Sequence, residues 1–395
     1  MKNCLHANRF SYVLMLACIL AHILNQTAYG GEWTAAADMS TARAGHTATL
    51  LGDGRVLVAG GSNASIPPYN VPTLSSAEFY IPSTNTWSPA PSMSTPRDNH
   101  SATLLKNGRV LVAGGYPDES GGNCLNTAEI YDPLANSWSM AASMVEPHCF
   151  HTATLLQDGR VLVGNFIDIF SSTEVYDPST NAWEQVSDLV RPHSATLLQD
   201  GRVLAVEGID MFSSGPLAYL FNPSTNTWSA AASMASPRSG FSATLLSDGR
   251  VLVTGGYFEE YYPPGLVFPA PEIYDPSTNT WSMANILKVD RVRHGATLLH
   301  DGSVLVFGGW NSSDWHASAE QYNPTQDFWR VMKNMIAVRA GFTDTLLPDG
   351  RVLVTGGFNA SEGFLSSAEL YDPVETAEPF PWLLFLPPIF SASRP

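Results

Sequence analysis

Positively charged residues are few in this chain, and lysine is especially scarce. The 395 residues include 20 Lys and Arg against 36 Asp and Glu, which gives a formal net charge of −16 and an isoelectric point near 4.9. Such a field repels phosphate backbones, so we expect no nucleic-acid partner. Charged residues make up only 14%, whereas Gly and Pro are frequent. This composition indicates a turn-rich β protein rather than a helical or disordered one.

Several enzyme signatures are also missing. The sequence contains no G-x-S-x-G, no H-E-x-x-H, no phosphate-binding loop and no C-x-x-C. The hydrolase, zinc-protease, nucleotide-binding and dithiol chemistries that depend on those motifs are therefore not indicated. We expect no catalytic residue, no metal site and no cofactor, and we leave open whether the chain has any enzymatic activity.

Long apolar runs occur only near the two ends of the chain. Residues 1–30 read as a secretory signal peptide, with Lys2 and Arg9 before an apolar run from Phe10 to Leu24 and small residues before Gly31. An uncleaved anchor is the alternative. We expect a secreted, periplasmic or cell-surface protein with no membrane span after cleavage. Residues 374–395 form an apolar tail broken by prolines, which we interpret as disordered or packed on the surface.

A thirteen-residue stretch recurs through residues 31–373. Its first copy, His46 to Val58, combines a short alternating segment, an Asp-Gly pair and an aliphatic run. Asp-Gly or Asn-Gly between apolar runs predicts a tight hairpin turn in which both central residues have positive φ. The aliphatic run predicts a strand buried on both faces. The seven predicted hairpin tips begin at Asp53, Asn107, Asp158, Asp200, Asp248, Asp301 and Asp349.

The segments after each hairpin complete a four-stranded unit. Most aliphatic runs end in Gly-Gly, as at Gly60-Gly61, and a variable loop leads to a strand with Glu and Tyr before Asp-Pro. A fourth strand then carries a Trp, as at Trp87. These features, in register at a period of roughly 50 residues, resemble kelch repeats. The resemblance implies an all-β, seven-bladed kelch β-propeller.

The two ends of the repeat region are complementary. The seventh unit ends at Tyr371-Asp372-Pro373 without a kelch Trp, whereas Trp33 has no blade before it. We therefore predict that the Trp33 segment supplies the outer strand of the last blade and closes the ring. Two cysteines in this region, Cys124 and Cys149, lie on the same predicted face of adjacent blades. These two cysteines form either a disulfide or a pair of buried free thiols, and the sequence does not distinguish the two.

Two rows of polar side chains fall on that face, just before the first strand of the blades. Arginine and histidine at the mouth of a channel suit anionic or metal-bound ligands. Residues that recur in every blade more often maintain the blade, and pairing of the Arg row with the recurrent Glu of the third strand would explain both. The Arg row includes Arg43, Arg97, Arg238, Arg291 and Arg339, and the His row includes His46, His100, His151, His193 and His294, with Phe241 and Phe342 in the other two blades.

Aromatic residues in the non-repeated loops are the more informative candidates. They follow the Gly-Gly pairs or lie in longer insertions, beside carboxylates and amides, and such clusters suit stacking on sugar rings or anchoring a protein. The alternative is that some of them only pack the loops onto the ring. The candidate ligand-binding set is Tyr116, Tyr257, Trp310, Trp315 and Phe358, together with Arg43, Arg97, Arg238 and Arg339.

We predict an exported, monomeric binding or scaffold module that recognises an extracellular protein or glycan through its loop-rich face. The alternative is a carbohydrate-active enzyme, either a copper radical oxidase or a sugar epimerase or mutarotase. The chain resembles the propeller of galactose-oxidase-type enzymes, but it lacks their Tyr-His dipeptide and their added domain, and it has only Cys124 and Cys149 for a Tyr–Cys crosslink. Blades three and four are shorter and lose Gly-Gly, which either reflects degeneracy or lowers one rim of the pocket.

Overall fold

The computed structural model describes residues 31–63, 72–117, 123–165, 172–186, 192–208, 215–261 and 264–373. The predicted signal peptide and C-terminal tail lie outside these ranges. The described part of the chain contains β-strands and no helix, so it has no helix that could span a bilayer. Its strands form seven four-stranded antiparallel blades, which confirms the predicted fold class.

The first strand, β1 (Glu32–Ala35), precedes all the complete blades. Blade 1 contains β2 (Thr47–Leu50), β3 (Val56–Ala59), β4 (Ala77–Ile81) and β5 (Thr86–Ala90). Blade 2 contains β6 (Ser101–Leu104), β7 (Val110–Ala113), β8 (Ala128–Asp132) and β9 (Ser137–Met140). Blade 3 contains β10 (His151–Leu155), β11 (Val161–Asn165), β12 (Thr173–Asp177) and β13 (Ala182–Val186). Blade 4 contains β14 (Pro192–Leu197), β15 (Val203–Glu207), β16 (Ala218–Asn222) and β17 (Thr227–Ala230).

Blade 5 contains β18 (Ser239–Leu245), β19 (Val251–Tyr261), β20 (Pro264–Val267), β21 (Glu272–Asp275) and β22 (Thr280–Met283), with β20 paired only to the extended end of β19. Blade 6 contains β23 (Gly295–Leu298), β24 (Val304–Phe307), β25 (Ala319–Asn323) and β26 (Phe328–Met332). Blade 7 contains β27 (Thr343–Leu346), β28 (Val352–Thr355) and β31 (Ala368–Asp372), and a small hairpin of β29 (Phe358–Asn359) and β30 (Gly363–Phe364) lies between the last two.

Blade 7 is completed by the N-terminal strand. β1 pairs antiparallel with β31, so that Trp33 lies opposite Tyr371. The Trp33 ring contacts those of Tyr371 and Phe307, and its indole N–H donates to the Lys333 carbonyl at 3.0 Å. The predicted closure is therefore confirmed, and strands at the two ends of the repeat region share one blade.

The core lies between the faces of adjacent blades. The second strand of each blade is buried along its aliphatic run, as predicted; in β3, for example, all four residues are buried. Each fourth-strand Trp packs on the ring of its cross-strand partner, and in blade 1 the Tyr80 and Trp87 centroids are 5.2 Å apart. The Trp87 indole also donates to the Ala37 carbonyl outside its own blade, at 2.7 Å. Aliphatic burial and indole hydrogen bonds thus join each blade to its neighbour.

The hairpin tips occur where predicted, but their geometry differs from the prediction. In the first copy the Leu51 amide donates to the Arg55 carbonyl and the Gly54 amide donates back to the Leu51 carbonyl. Only the glycine has positive φ, at 87°, so the loop has three residues and ends in a left-handed glycine. The prediction of positive φ at both central residues is wrong, because one extra residue in the loop lets Asp53 remain in a right-handed conformation.

Candidate functional site

Five buried ion pairs hold the linkers to the blades. Arg291 has no exposed surface and donates to the carbonyls of Gly308 and Ser318 and to Glu320 Oε1, the last at 3.1 Å. Glu320 in turn accepts from two backbone amides of the linker. Burial lowers the pKa of Arg291, while Glu320 opposes that shift. The same pairing joins Arg43 to Glu78, Arg97 to Glu129, Arg238 to Glu272 and Arg339 to Glu369.

These pairs also connect neighbouring blades through the arginine backbone. The carbonyl of Arg97 accepts from Gly61 of blade 1, while the Arg97 side chain binds within blade 2. Arg43, Arg97, Arg238 and Arg339, which we proposed from sequence as ligand contacts, therefore have no surface free to meet a ligand. The observed role is the architectural alternative, in which each Arg forms a buried ion pair with the recurrent Glu of the third strand.

Blade 3 replaces this arginine with a histidine. His148 occupies the position of Arg97 and makes one side-chain hydrogen bond, to Glu174 at 3.0 Å, with both side chains fully buried. A disulfide between Cys149, the next residue, and Cys124 of blade 2 crosses the same blade interface. The sequence reading missed His148 because it tracked arginine alone.

The His row lies between the innermost strands, where His46 and His100 are buried and His151, His193 and His294 are half-buried. His46 contacts the hydroxyls of Thr343 and Thr355 in blade 7 through Nε2, at 3.0 and 3.1 Å. Burial, reinforced by Arg97, lowers the pKa of His100 to about 3, and burial likewise lowers the pKa of His294 to about 3. These rings are therefore neutral at physiological pH, and they bridge blades rather than binding an anion.

A cavity of about 810 Å³ opens at the mouth of the central channel, on the face that carries the linkers. Its lining includes residues from all seven blades, and it is of the size that small-molecule sites have. Three of the predicted aromatic residues line it, namely Tyr257, Trp310 and Phe358. We call this space the mouth cavity.

The other two predicted aromatics lie behind that lining. The Tyr116 ring packs edge-on against Phe150, with centroids 5.8 Å apart. Trp315 packs against Phe358, with centroids 5.2 Å apart, and pairs through its backbone with Trp310. Both residues therefore support lining residues, which is the packing role that the sequence analysis left open for part of the set.

In six blades, the residue two positions after the Arg or His that pairs with Glu lines the mouth cavity, and we call these six residues the collar. Five of the six lie between the Arg or His of the linker and the first strand, Gly240 is the second residue of β18, and all six have positive φ. Backbone hydrogen bonds join consecutive members, such as Asn99 to Gly45 at 2.8 Å and Arg293 to Gly240 at 3.1 Å. The collar consists of Gly45, Asn99, Phe150, Gly240, Arg293 and Gly341.

One further departure from the repeat lies on the innermost strand of blade 7. Asp344 stands where the other six blades have Ala, and it accepts a hydrogen bond from Thr297 of blade 6 at 2.5 Å. Burial raises the pKa of the Asp344 carboxyl. The signal in the sequence is a single TDTL among copies that read TATL, SATL or GATL. The repeat pattern did not identify Asp344, Asn99, Phe150 or Arg293 as candidate residues.

The copper site of galactose-oxidase-type enzymes does not fit the residues of this chain. That site needs a cysteine crosslinked to tyrosine, whereas the sulfurs of Cys124 and Cys149 are already bonded to each other. The described residues hold no group of three or more His, Cys, Asp or Glu arranged to bind a metal ion. We derive no chemical step through copper.

Comparison with known proteins agrees with the repeat pattern. The kelch motif model matches residues 42–94, 99–145 and 291–336. Alpha-scruin from Limulus polyphemus is 32% identical over 127 residues, which are 31% of this chain and 13% of that protein. Kelch-like protein 23 from Homo sapiens is 24% identical over 261 residues, or 66% of this chain and 44% of that protein. The chain thus spans less than half the length of these relatives.

A solved structure shares the fold. A fungal alcohol oxidase of the AA5 family, in complex with copper, superposes with a TM-score of 0.67 over 87% of this chain and 76% of that one. The sequence identity is 16%, so the likeness concerns the fold alone.

Proposed function

We propose that this chain, a seven-bladed propeller built from kelch repeats, is an exported binding module that recognises an extracellular glycan or protein through the mouth cavity and the loops around it. Kelch propellers typically act as protein-binding scaffolds. The recurrent Arg and Glu side chains of the linkers and third strands are buried in ion pairs, whereas the non-recurrent Asn99, Phe150 and Arg293 line the mouth cavity.

The observation that carries the proposal is the aromatic lining of the mouth cavity. Tyr257, Trp310 and Phe358 come from three consecutive blades and face one concave space. Rings held in a concave site supply large contact areas at little conformational cost, and they stack on sugar faces as well as on protein side chains.

The test is binding by the purified full chain to a glycan array and to a panel of extracellular protein domains. We expect retention of at least one probe by the wild type and a loss of tenfold or more in Trp310→Ala. Arg202→Ala, at a hairpin tip on the opposite face, is the matched control and should bind as the wild type does. Binding that survives Trp310→Ala but disappears in the tip variant would place the binding surface elsewhere.

A second measurement addresses export. The amino-terminal sequence of protein recovered from the medium or from the periplasm should begin near Gly31. Retention of residues 1–30 in a membrane pellet would favour the anchor alternative.

A further inference from the structure

The collar position has a backbone conformation that suits glycine. Three of the six members are glycine, with φ between 61° and 67°. The other three have φ of 48° to 50°. For an L-residue other than Gly or Asn, this left-handed conformation costs roughly 1–2 kcal/mol. The non-glycine members are Asn99, Phe150 and Arg293.

Nothing in the fold of a blade requires these three side chains. In blades 1, 5 and 7 the position is occupied by glycine, whose backbone takes part in the collar hydrogen bonds as the backbone of the other members does. Phe150 and Arg293 are the residues other than Gly, Asn and Asp that have positive φ in the part of the chain that the structure describes, and both line the mouth cavity. Strain that a concave surface carries and the architecture does not need indicates a role in ligand contact. All three side chains belong to residues that line the mouth cavity.

Arg293 supplies the cationic group of the mouth cavity. It is exposed, and in the ranges that the structure describes it enters no salt bridge, whereas Arg291 beside it is paired with Glu320. Burial, followed by the charge of Arg293, lowers the pKa of His193 to about 4, so this neighbouring lining residue is neutral. The lining carboxylate, Asp98, is almost fully buried and belongs to blade 2.

We propose that the mouth cavity binds a sugar residue that bears a carboxylate, with Arg293 as the anion-binding group. Guanidinium forms paired hydrogen bonds with a carboxylate, which gives both orientation and affinity. The Asn99 amide offers a donor and an acceptor to sugar hydroxyls, and Trp310 and Tyr257 offer faces for the apolar side of the ring. The proposal rests on the proposed function and specifies the ligand class of the same site.

The charge of the protein favours this ligand over a strongly acidic peptide. A net charge of −16 repels a segment that carries several carboxylates, whereas one carboxylate meets the local field of Arg293. The mixture of aromatic faces with an amide and hydroxyls also matches the alternating apolar and hydroxylated surfaces of a sugar. An acidic peptide is therefore the competing outcome of the experiment.

The experiment measures the affinity of the full chain for oligosaccharides that end in glucuronic, galacturonic or sialic acid. Each acidic probe is paired with its neutral counterpart, and an acidic peptide is included. We expect the wild type to prefer an acidic sugar over its neutral partner by tenfold or more, and Arg293→Ala to remove that preference. Arg293→Lys should retain part of it, because a point charge replaces the planar fork. Trp310→Ala should weaken both sugars.

The outcomes separate this inference from the proposed function. Equal binding of acidic and neutral sugars that is lost in Trp310→Ala but not in Arg293→Ala would overturn the role of Arg293 and leave the binding module intact. Arg293-dependent binding of the acidic peptide without any acidic sugar would overturn the ligand class. No Trp310-dependent binding of any probe would overturn both. Thermal unfolding of each variant is followed in parallel, and we expect Arg293→Ala to unfold as the wild type does.

Discussion

Arg291 and Arg293 lie two residues apart in the linker before blade 6, and their surroundings are opposite. Arg291 is fully buried and has four hydrogen-bond contacts with its own blade, whereas Arg293 is exposed at the mouth cavity and enters no described salt bridge. The first recurs in most blades and the second occurs in one. The contrast shows two uses of neighbouring positions: the shared position builds the ring, and the variable position carries the side chain that we propose binds the ligand.

The largest effect is expected from opening the ring. Trp33→Ala removes the indole that packs on Tyr371 and Phe307, and loss of a buried Trp lowers the free energy of unfolding by about 3–5 kcal/mol. Chemical denaturation measures this change. Trp315→Ala, which removes a loop indole, is the control and should cost far less. Equal effects of the two substitutions would contradict the closure argument.

Breaking the buried pair is expected to be comparably severe. Arg291→Ala leaves Glu320 buried without its cation, which should cost about 3–5 kcal/mol, whereas Arg293→Ala should stay within about 0.5 kcal/mol of the wild type. The double variant Arg291→Met with Glu320→Leu should recover only part of the loss: no uncompensated charge remains, but the two linker amides that donate to Glu320 lose their acceptor. An Arg291→Ala variant as stable as the wild type would contradict the structural role of Arg291.

The disulfide should matter somewhat less. It closes a loop with a sequence separation of 25 at the blade interface where His148 replaces an arginine, and its loss should lower stability by about 3 kcal/mol. The measurement is the midpoint of denaturation with and without a reductant. A Cys124→Ala, Cys149→Ala variant should show no response to reductant; a wild type that is equally unresponsive would contradict the contribution of the bond.

Acid should weaken the frame in a defined window. The folded pKa values of His100 and His294 are about 3 and that of His193 about 4, below an unfolded value near 6.5, so the unfolded chain binds more protons as the pH falls. Stability should therefore be highest above pH 6.5 and decline toward pH 3, by up to about 1.4 kcal/mol per pH unit for each of these three histidines. His100→Phe, which copies the Phe342 that blade 7 has at this position, should reduce the slope, and an unchanged slope would argue against this cause.

The smallest expected effect has the opposite sign. Arg293→Gly restores the residue that blades 1, 5 and 7 use at the collar, and relief of the left-handed strain should stabilise the protein by about 1 kcal/mol. Thermal unfolding measures this gain. The same variant should lose the preference for acidic sugars, so that stability and recognition change in opposite directions.

Much of this architecture could be predicted from sequence. Recurrent aliphatic runs, glycine pairs and tryptophans specify blades because each reports a local requirement for burial or for backbone conformation. The unmatched Trp33 even specified the closure. The collar could not be predicted in this way, because its members share a left-handed φ that the residue types of Phe150 and Arg293 do not indicate. The cavity, in turn, forms only where the linkers of all seven blades converge in space.

The pairing of Trp33 with Tyr371 has a consequence for biosynthesis. Among the described strands, β1 is translated before all the others and its partner β31 after them, so the ring cannot close until blade 7 has been made. Under the export that we propose, the delay would keep the chain unclosed during passage, because a translocation channel accepts an extended polypeptide and not a closed ring.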